Sequence, residues 1–153
     1  MSEIALPKID RSIVSNKSQI VKKLSSLTNP ENVLSEADEL RPYETDALSV
    51  YTQTPLAVVL PENTKEVSEI LKYCNEENIK VVPRGAGTGL SGGALPLQDA
   101  ILLGLGKFNK ILEIDYENKC VITQPGVTNL GITHAVEHKG FYYAPDPSSQ
   151  LAC

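Results

Sequence analysis

The chain has 153 residues, 41% hydrophobic and 22% charged, which is enough for one domain with a hydrophobic core. Its net charge of −5 argues against nucleic acid or an anionic membrane as the main partner, although backbone amides need no net positive charge to hold a phosphate group. The three cysteines lack the spacing of a metal site or disulfide framework, and no apolar run approaches the roughly 20 residues that span a membrane. The N-terminus lacks the apolar stretch of a signal peptide, so we expect a cytoplasmic protein with no transmembrane segment.

The first part of the chain, residues 1–53, is predicted to be a helical and irregular segment. Within residues 9–27, apolar side chains recur at spacings of three and four, which predicts one amphipathic helix. The polar stretch that follows has no clear period and is interpreted as loops and short helical turns. We expect a compact unit over residues 54–153.

That unit begins with a predicted strand–helix–strand unit. Residues 55–61 form a short Val-rich run bounded by prolines, which is typical of a buried strand. Asn63 and Glu66 resemble a capping box that begins an amphipathic helix over residues 64–78. Residues 79–83 form a second short apolar run. The order predicts a βαβ unit with a parallel pair of strands and a right-handed crossover.

Further along the chain, residues 100–105 read as a third buried strand. The runs 111–115 and 120–124 are separated by Tyr-Glu-Asn-Lys, which predicts a hairpin. Residues 129–139 are predicted to be helical, with Gly140 in the position of a C-cap. The remaining residues are rich in turn formers.

The stretch VVPRGAGTGLSGGALP, residues 81–96, is the most unusual in the chain. Its Gly87, Gly89 and Gly92 match the spelling of the dinucleotide fingerprint, which would make this an NAD-binding domain. That fingerprint needs a helix that begins in the loop, however, and here a proline and another strand follow. The P-loop pattern is absent because no Lys-Ser or Lys-Thr closes the loop.

A glycine-rich loop between two strands suits an anion. Glycine accepts positive φ and leaves successive amides free to converge on a negatively charged group. Thr88 and Ser91 add hydroxyl donors, and Arg84 adds a positive charge. The loop therefore suits a pyrophosphate; the alternative is a tight connector whose glycines serve packing alone.

Four blocks of the chain, in order, resemble one enzyme family. They are RPYETDALSVYTQTPLAVVLPENTKEV, VVPRGAGTGLSGGALP, ILEIDYENKCVITQPGVTNLGI and YYAPDPSSQLAC, within residues 28–153. They resemble the flavin subunit of glycolate oxidase and the related D-lactate dehydrogenases. The resemblance implies an α+β fold, a PCMH-type (vanillyl-alcohol-oxidase-like) FAD-binding domain with a βαβ unit and short mixed sheets, truncated here and preceded by an N-terminal helix.

The same resemblance implies FAD as the cofactor and assigns residues to it. The glycine loop would wrap the pyrophosphate, mostly through backbone N–H groups, with residues Arg84, Gly85, Ala86, Gly87, Thr88, Gly89, Ser91 and Gly92. Two later turns would line the cofactor, one beside a strand end and one near the isoalloxazine, with residues Pro125, Gly126, Pro145, Asp146 and Ser149. Taken alone, these later residues are ordinary turn formers.

The family oxidises a 2-hydroxy acid to a 2-oxo acid and passes electrons to a quinone, an electron-transfer flavoprotein or an iron–sulfur partner. Its catalytic and substrate-binding groups follow the region that this chain matches, so we assign no catalytic residue here. We expect weak or absent FAD binding and no turnover by the chain alone, and possible oligomers through apolar surface. The alternatives are a non-catalytic fragment and half of a split flavoenzyme.

The run His134-Ala-Val-Glu137-His138 spells a zinc-protease pattern. Apolar Ile132, Ala135 and Val136 define a different helix face, however, so we expect both histidines to face solvent. We therefore predict no metal site.

Overall fold

The computed structural model describes residues 7–153. The predicted absence of a signal peptide falls partly on residues 1–6, outside the described residues. Two short helices, α1 (Arg11–Ser15) and α2 (Lys17–Leu24), replace the single helix predicted over residues 9–27. The chain breaks at Asn16, with φ −90° and ψ 8°. Its backbone amide donates to the carbonyls of both Ser12 and Ile13. The Ser15 hydroxyl also donates to the Ser12 carbonyl at 2.9 Å, a local side-chain bond of the kind that competes with the helical pattern.

The segment predicted to be irregular contains a short strand and a short helix beside two 3₁₀ turns. Strand β1 (Val33–Leu34) was not predicted, because two residues show no period. It pairs antiparallel with β2 (Ala57–Val59), so the segment adds a strand to the main sheet. Helix α3 (Ala37–Leu40) follows, and its last residue, Leu40, is buried.

The main sheet has four strands in the order β1-β2-β4-β3, with β3 at Lys80–Arg84 and β4 at Ala100–Gly104. The predicted parallel direction of β2 and β3 is confirmed, but the two are not neighbours, because β4 lies between them and pairs in parallel with both. Every residue of β4 is buried, as suits a central strand. Pro83 has no N–H to donate and lies in β3 at the sheet edge.

Helix α4 (Thr64–Glu76) connects β2 to β3 and begins as predicted. The side chain of Asn63 accepts a hydrogen bond from the amide of Glu66 at 3.0 Å. The Glu66 carboxylate, however, reaches the amide of Glu62 and not the amide of Asn63 expected of a capping box. Ile70 and Cys74 are buried on the sheet side of the helix, as the apolar spacing predicted, whereas Leu71, at the same spacing, is 44% exposed. Burial raises the pKa of the Cys74 thiol to about 11.

The second half of the chain forms a hairpin and a short helix, both as predicted. Strands β5 (Ile111–Asp115) and β6 (Cys120–Thr123) pair antiparallel, and the Asp115 carboxylate accepts hydrogen bonds from the turn amides of Glu117 and Asn118. Helix α5 (Asn129–Val136) starts at the N-cap Thr128. It runs into a 3₁₀ turn that ends at Gly140, whose φ is +76°.

The core lies on both faces of the four-stranded sheet. On one face, α2 and α4 pack on alternate strand residues, with Leu24, Ile70 and Ile101 fully buried. On the other face, Leu40 packs on Val58 and Leu102. The segment before residue 54 thus shares a core with the strands after it; the boundary after residue 53 stays a prediction. Within residues 7–153, no helix is long and apolar enough to cross a membrane.

Candidate functional site

The glycine loop leaves the sheet at the carboxyl edge of the parallel strands. Arg84 ends β3 opposite Gly104 of β4, and the amide of Leu105 donates to the carbonyl of Arg84 at 2.9 Å. Residues 85–99 then return to the start of β4 with neither helix nor strand. The helix that an NAD fingerprint requires is therefore missing from the loop. Ligands of open parallel sheets bind outside this edge.

The backbone of the loop is free to contact a ligand. Within the described part of the chain, no backbone N–H of residues 85–92 is hydrogen-bonded to another residue. Gly87 and Gly92 have φ of +74° and +72°, which reverses the direction of successive amides. A Cβ added at Gly85 or Gly89 would meet no atom within 4 Å, so the backbone is open on those sides.

Side chains of the loop divide into two groups. Thr88 is half-buried, Ser91 is exposed, and neither hydroxyl is hydrogen-bonded within residues 7–153. Ala86 is exposed. The Arg84 guanidinium, in contrast, is bonded to the protein: its Nη1 donates to the carbonyl of Thr45 at 2.6 Å. The loop thus offers amides and hydroxyls outward, while its cation is engaged inward.

The turn at Pro125 and Gly126 lies against the same sheet edge. The amide of Gly126 donates to the carbonyl of Phe108 at 2.7 Å. A Cβ on Gly126 would lie 2.7 Å from the carbonyl oxygens of Leu105 and Phe108. Pro125 is exposed. Because Leu105 is bonded to Arg84, the structure brings this turn together with the start of the glycine loop.

The third predicted group, Pro145, Asp146 and Ser149, lies on another element. Pro145 and Asp146 are exposed, and the Ser149 Oγ lies 2.9 Å from the Cys153 Sγ. The carbonyl of Cys153 accepts from the first amide of α5, that of Asn129, at 2.9 Å. Residues 149–153 therefore pack at the N-terminus of α5, while Pro145 and Asp146 lie in the exposed stretch before them. In the described part of the chain, no hydrogen bond joins them to the glycine loop.

One segment of this site, residues 43–48, was not predicted from the sequence. The amide of Ala47 donates to the carbonyl of Gly87 at 2.9 Å, which fastens the segment to the glycine loop. Asp46 is buried; its Oδ1 accepts from the amide of Leu48, and its Oδ2 has no partner among the described residues. In the sequence, only the resemblance of the block RPYETDA to the flavoenzyme family marked this stretch. No spacing in it indicates contact with a loop 40 residues on.

His134 and His138 lie where the apolar spacing placed them. Both are exposed on α5 and the 3₁₀ turn after it, while Ile132 and Val136 are buried. In residues 7–153, no group of three or more His, Cys, Asp or Glu side chains lies close enough to hold a metal ion.

Comparison with known proteins identifies what this arrangement is. A family model described as an FAD binding domain matches residues 55–153. The chain belongs to this family of FAD-binding domains. The family resemblance and the cofactor inferred from the sequence blocks are thereby confirmed. The free amides of the loop suit the pyrophosphate of FAD.

Individual relatives agree with the assignment to this family of FAD-binding domains. Over 149 residues the chain is 45% identical to the glycolate oxidase subunit GlcD of Escherichia coli (strain K12), which covers 97% of this chain and 29% of that protein. It is 34% identical to the D-lactate dehydrogenase of Anaerostipes hadrus, over 88% of this chain and 28% of that protein. The chain therefore spans less than a third of the length of these relatives.

The fold also matches solved flavoenzymes. The crystal structure of p-cresol methylhydroxylase with substrate bound superposes on this chain with a TM-score of 0.72 and 29% identity. The match covers 82% of this chain and 25% of the methylhydroxylase chain. The predicted α+β fold of the PCMH type, with small mixed sheets, is confirmed.

Proposed function

We propose that this chain is the FAD-binding part of a flavin-dependent 2-hydroxy-acid dehydrogenase. The observation that carries the proposal is the run of unbonded backbone amides over residues 85–92, at the carboxyl edge of the sheet. Such amides stabilise a pyrophosphate without any cationic side chain. When bound, FAD supplies a two-electron acceptor for the hydride of a 2-hydroxy acid.

Within that proposal, the chain's own residues bind and orient the cofactor. The amides of residues 85–92 and the hydroxyls of Thr88 and Ser91 would hold the pyrophosphate. The turn at Pro125 and Gly126 would border the cofactor beside the end of β4. Pro145, Asp146 and Ser149 would line it from the N-terminus of α5. We assign no catalytic residue in this chain.

The substrate class is proposed from the relatives. Those reported above are named as a glycolate oxidase subunit and a D-lactate dehydrogenase, and both names denote oxidation of a 2-hydroxy acid. We propose glycolate, D-lactate or a similar acid as the substrate of the whole enzyme. A quinone, an electron-transfer flavoprotein or an iron–sulfur protein would accept its electrons. Exposed Leu112, Ile122 and Leu151 support self-association of the chain as a further proposal.

Thermal unfolding in the presence of cofactors tests the proposal. Binding to the native state raises the unfolding midpoint, and a millimolar concentration reveals even the weak FAD binding expected of this chain alone. We therefore expect millimolar FAD to raise the midpoint and equal NAD to leave it unchanged. A rise with NAD and none with FAD would overturn the proposal.

A pair of variants places the binding at the loop. Gly89→Glu adds a carboxylate where a Cβ meets no atom within 4 Å, so the fold should tolerate it while the charge repels the pyrophosphate. Ser68→Glu adds the same charge on the exposed middle of α4. We expect Gly89→Glu to lose the FAD-dependent rise and Ser68→Glu to keep it. Equal rises in both variants would remove the glycine loop from the site.

A further inference from the structure

The Arg84 side chain joins two loops that are distant in sequence. Its Nη1 donates to the carbonyl of Thr45 at 2.6 Å and lies 3.4 Å from the carbonyl of Tyr43. Its guanidinium carbon lies 5.8 Å from the centre of the Tyr43 ring, within the range of a cation–π contact. The guanidinium is thus held on the segment that precedes the sheet's second strand.

The same guanidinium lies against Gly87. A Cβ added to Gly87 would lie 2.6 Å from both Cζ and Nε of Arg84, so the guanidinium occupies the space into which a side chain at Gly87 would extend. Gly87 has φ +74°, and its carbonyl accepts from the amide of Ala47 at 2.9 Å. Arg84 and the Ala47 amide therefore hold Gly87 from two sides.

We propose that Arg84 is a positioning residue for the pyrophosphate loop and not a pyrophosphate ligand. It clamps residues 43–47 to Gly87, which fixes the turn that directs the neighbouring amides outward. This inference rests on the proposed function, since it takes the loop's ligand to be the pyrophosphate of FAD. It revises the sequence interpretation, which counted the charge of Arg84 among the groups wrapping the ligand.

Lysine cannot replace arginine in this clamp. A lysine ammonium is a compact, strongly hydrated charge without the planar fork of a guanidinium, so it cannot fill the space beside Gly87 while bonding the Thr45 carbonyl. Charge alone, in contrast, is preserved by lysine. Arg84→Lys and Arg84→Met should therefore behave alike if Arg84 positions the loop, and differently if its charge binds the ligand.

The first test measures amide hydrogen exchange by NMR in the 153-residue chain without ligand. We expect exchange at Ala47 to accelerate at least tenfold in both Arg84 variants, because the Gly87 carbonyl that accepts from it is no longer held by the guanidinium. The amide of Leu105, which donates to the Arg84 backbone carbonyl, should change less than threefold and so reports that β3 and β4 remain paired. Unchanged exchange at Ala47 in Arg84→Lys would overturn the clamp.

The second test titrates FAD into the same proteins and follows the amide shifts of residues 85–92. We expect both Arg84 variants to bind at least tenfold more weakly than the parent chain with urea midpoints close to the parent value, a combination that general destabilisation would not give. Lys110→Met, which removes an exposed charge, is the control and should bind as the parent does. Near-parental binding by Arg84→Lys alone would make Arg84 a charge ligand and overturn the inference. If FAD shifts no amide in the parent chain, the proposed function fails, while the exchange at Ala47 still decides the clamp.

Discussion

At the scale of single residues, glycine occupies positions near the sheet edge for two different physical reasons. Gly85 and Gly89 have open space where a Cβ would point, so their value is an unobstructed backbone. Gly126 is enclosed by the carbonyl groups of the turn after β4, so its value is close packing. The same residue type therefore leaves the backbone open in one loop and allows close internal contact in another.

This difference gives a testable prediction for Gly126. Gly126→Ala places a methyl group 2.7 Å from two backbone oxygens, which cannot rotate away as a side chain can. We expect the free energy of unfolding to fall by about 1–3 kcal/mol, as for other overpacked sites. Urea unfolding followed by circular dichroism measures it.

The matched control is Gly93→Ala. A Cβ there meets no atom within 4 Å, so the change should stay within about 0.5 kcal/mol of the parent. Equal losses in the two variants would contradict the close contact described for Gly126.

How far the site could be predicted also differs between residues. The spelling of residues 84–92 indicated a ligand loop because glycine, hydroxyl and charge occur together there. The direction of the Arg84 side chain could not be predicted, because its acceptors at Tyr43 and Thr45 lie some 40 positions earlier. A backbone carbonyl carries no trace in the sequence of which side chain it accepts from.

At the scale of elements, the start of α4 joins three parts of the chain. The Glu66 carboxylate accepts from the amide of Glu62 at 2.9 Å and from the Thr28 hydroxyl at 2.7 Å, and it is also bonded to Asn63. Burial raises the pKa of Glu66, but these hydrogen bonds to the charged form outweigh it, so the pKa lies below its usual value. The helix start is thereby fastened to the N-terminal segment.

This pKa shift predicts a pH dependence of stability. A carboxylate whose pKa is lowered by folding stabilises the native state above its unfolded pKa of about 4.3, and the stabilisation is lost as pH falls through the folded pKa. We expect Glu66→Gln to be less stable than the parent at pH 7, with the difference shrinking below about pH 4. Urea midpoints at pH 7 and at about pH 3 measure this difference.

A control on the same helix separates this network from ordinary surface charge. Glu69 forms an exposed ion pair with Lys72 at 3.0 Å, a type of contact that contributes little. Glu69→Gln should therefore be nearly neutral at both pH values. A loss in Glu66→Gln that persists unchanged at pH 3 would assign the effect to packing and not to ionisation.

Elements were predictable where one pattern sufficed. Helix α4 has a cap and an amphipathic spacing, and β4 is a continuous apolar run, so both were found from the sequence. The prediction of a single helix over residues 9–27 was wrong because the apolar spacing continues past Asn16, where the backbone leaves the helical conformation. The order of strands was unpredictable from local pattern, since β2 and β4 are both fully buried apolar runs and neither run indicates which strands it pairs with.

At the scale of the whole molecule, one core connects the N-terminal segment to the sheet. Leu24 of α2 is fully buried in the same cluster as Ile70 of α4 and Ile101 of β4. A cluster shared in this way favours a single cooperative unfolding unit. The predicted boundary after residue 53 would then mark a change in sequence pattern and not a division between independent units.

Leu24→Ala tests this directly. Truncating a buried leucine leaves a cavity and costs about 2–5 kcal/mol, and in a cooperative molecule the cost falls on every element. We expect amide exchange in β4, at Ile101 and Leu103, to lose protection by the same free energy as the urea-measured stability. The control Val14→Ala, at a side chain that is 40% exposed in α1, should leave both measurements nearly unchanged. If β4 kept its full protection while far-UV circular dichroism showed loss of α2, the segment would be an independently unfolding appendage. Equal losses would make the N-terminal helices part of the unit that carries the glycine loop.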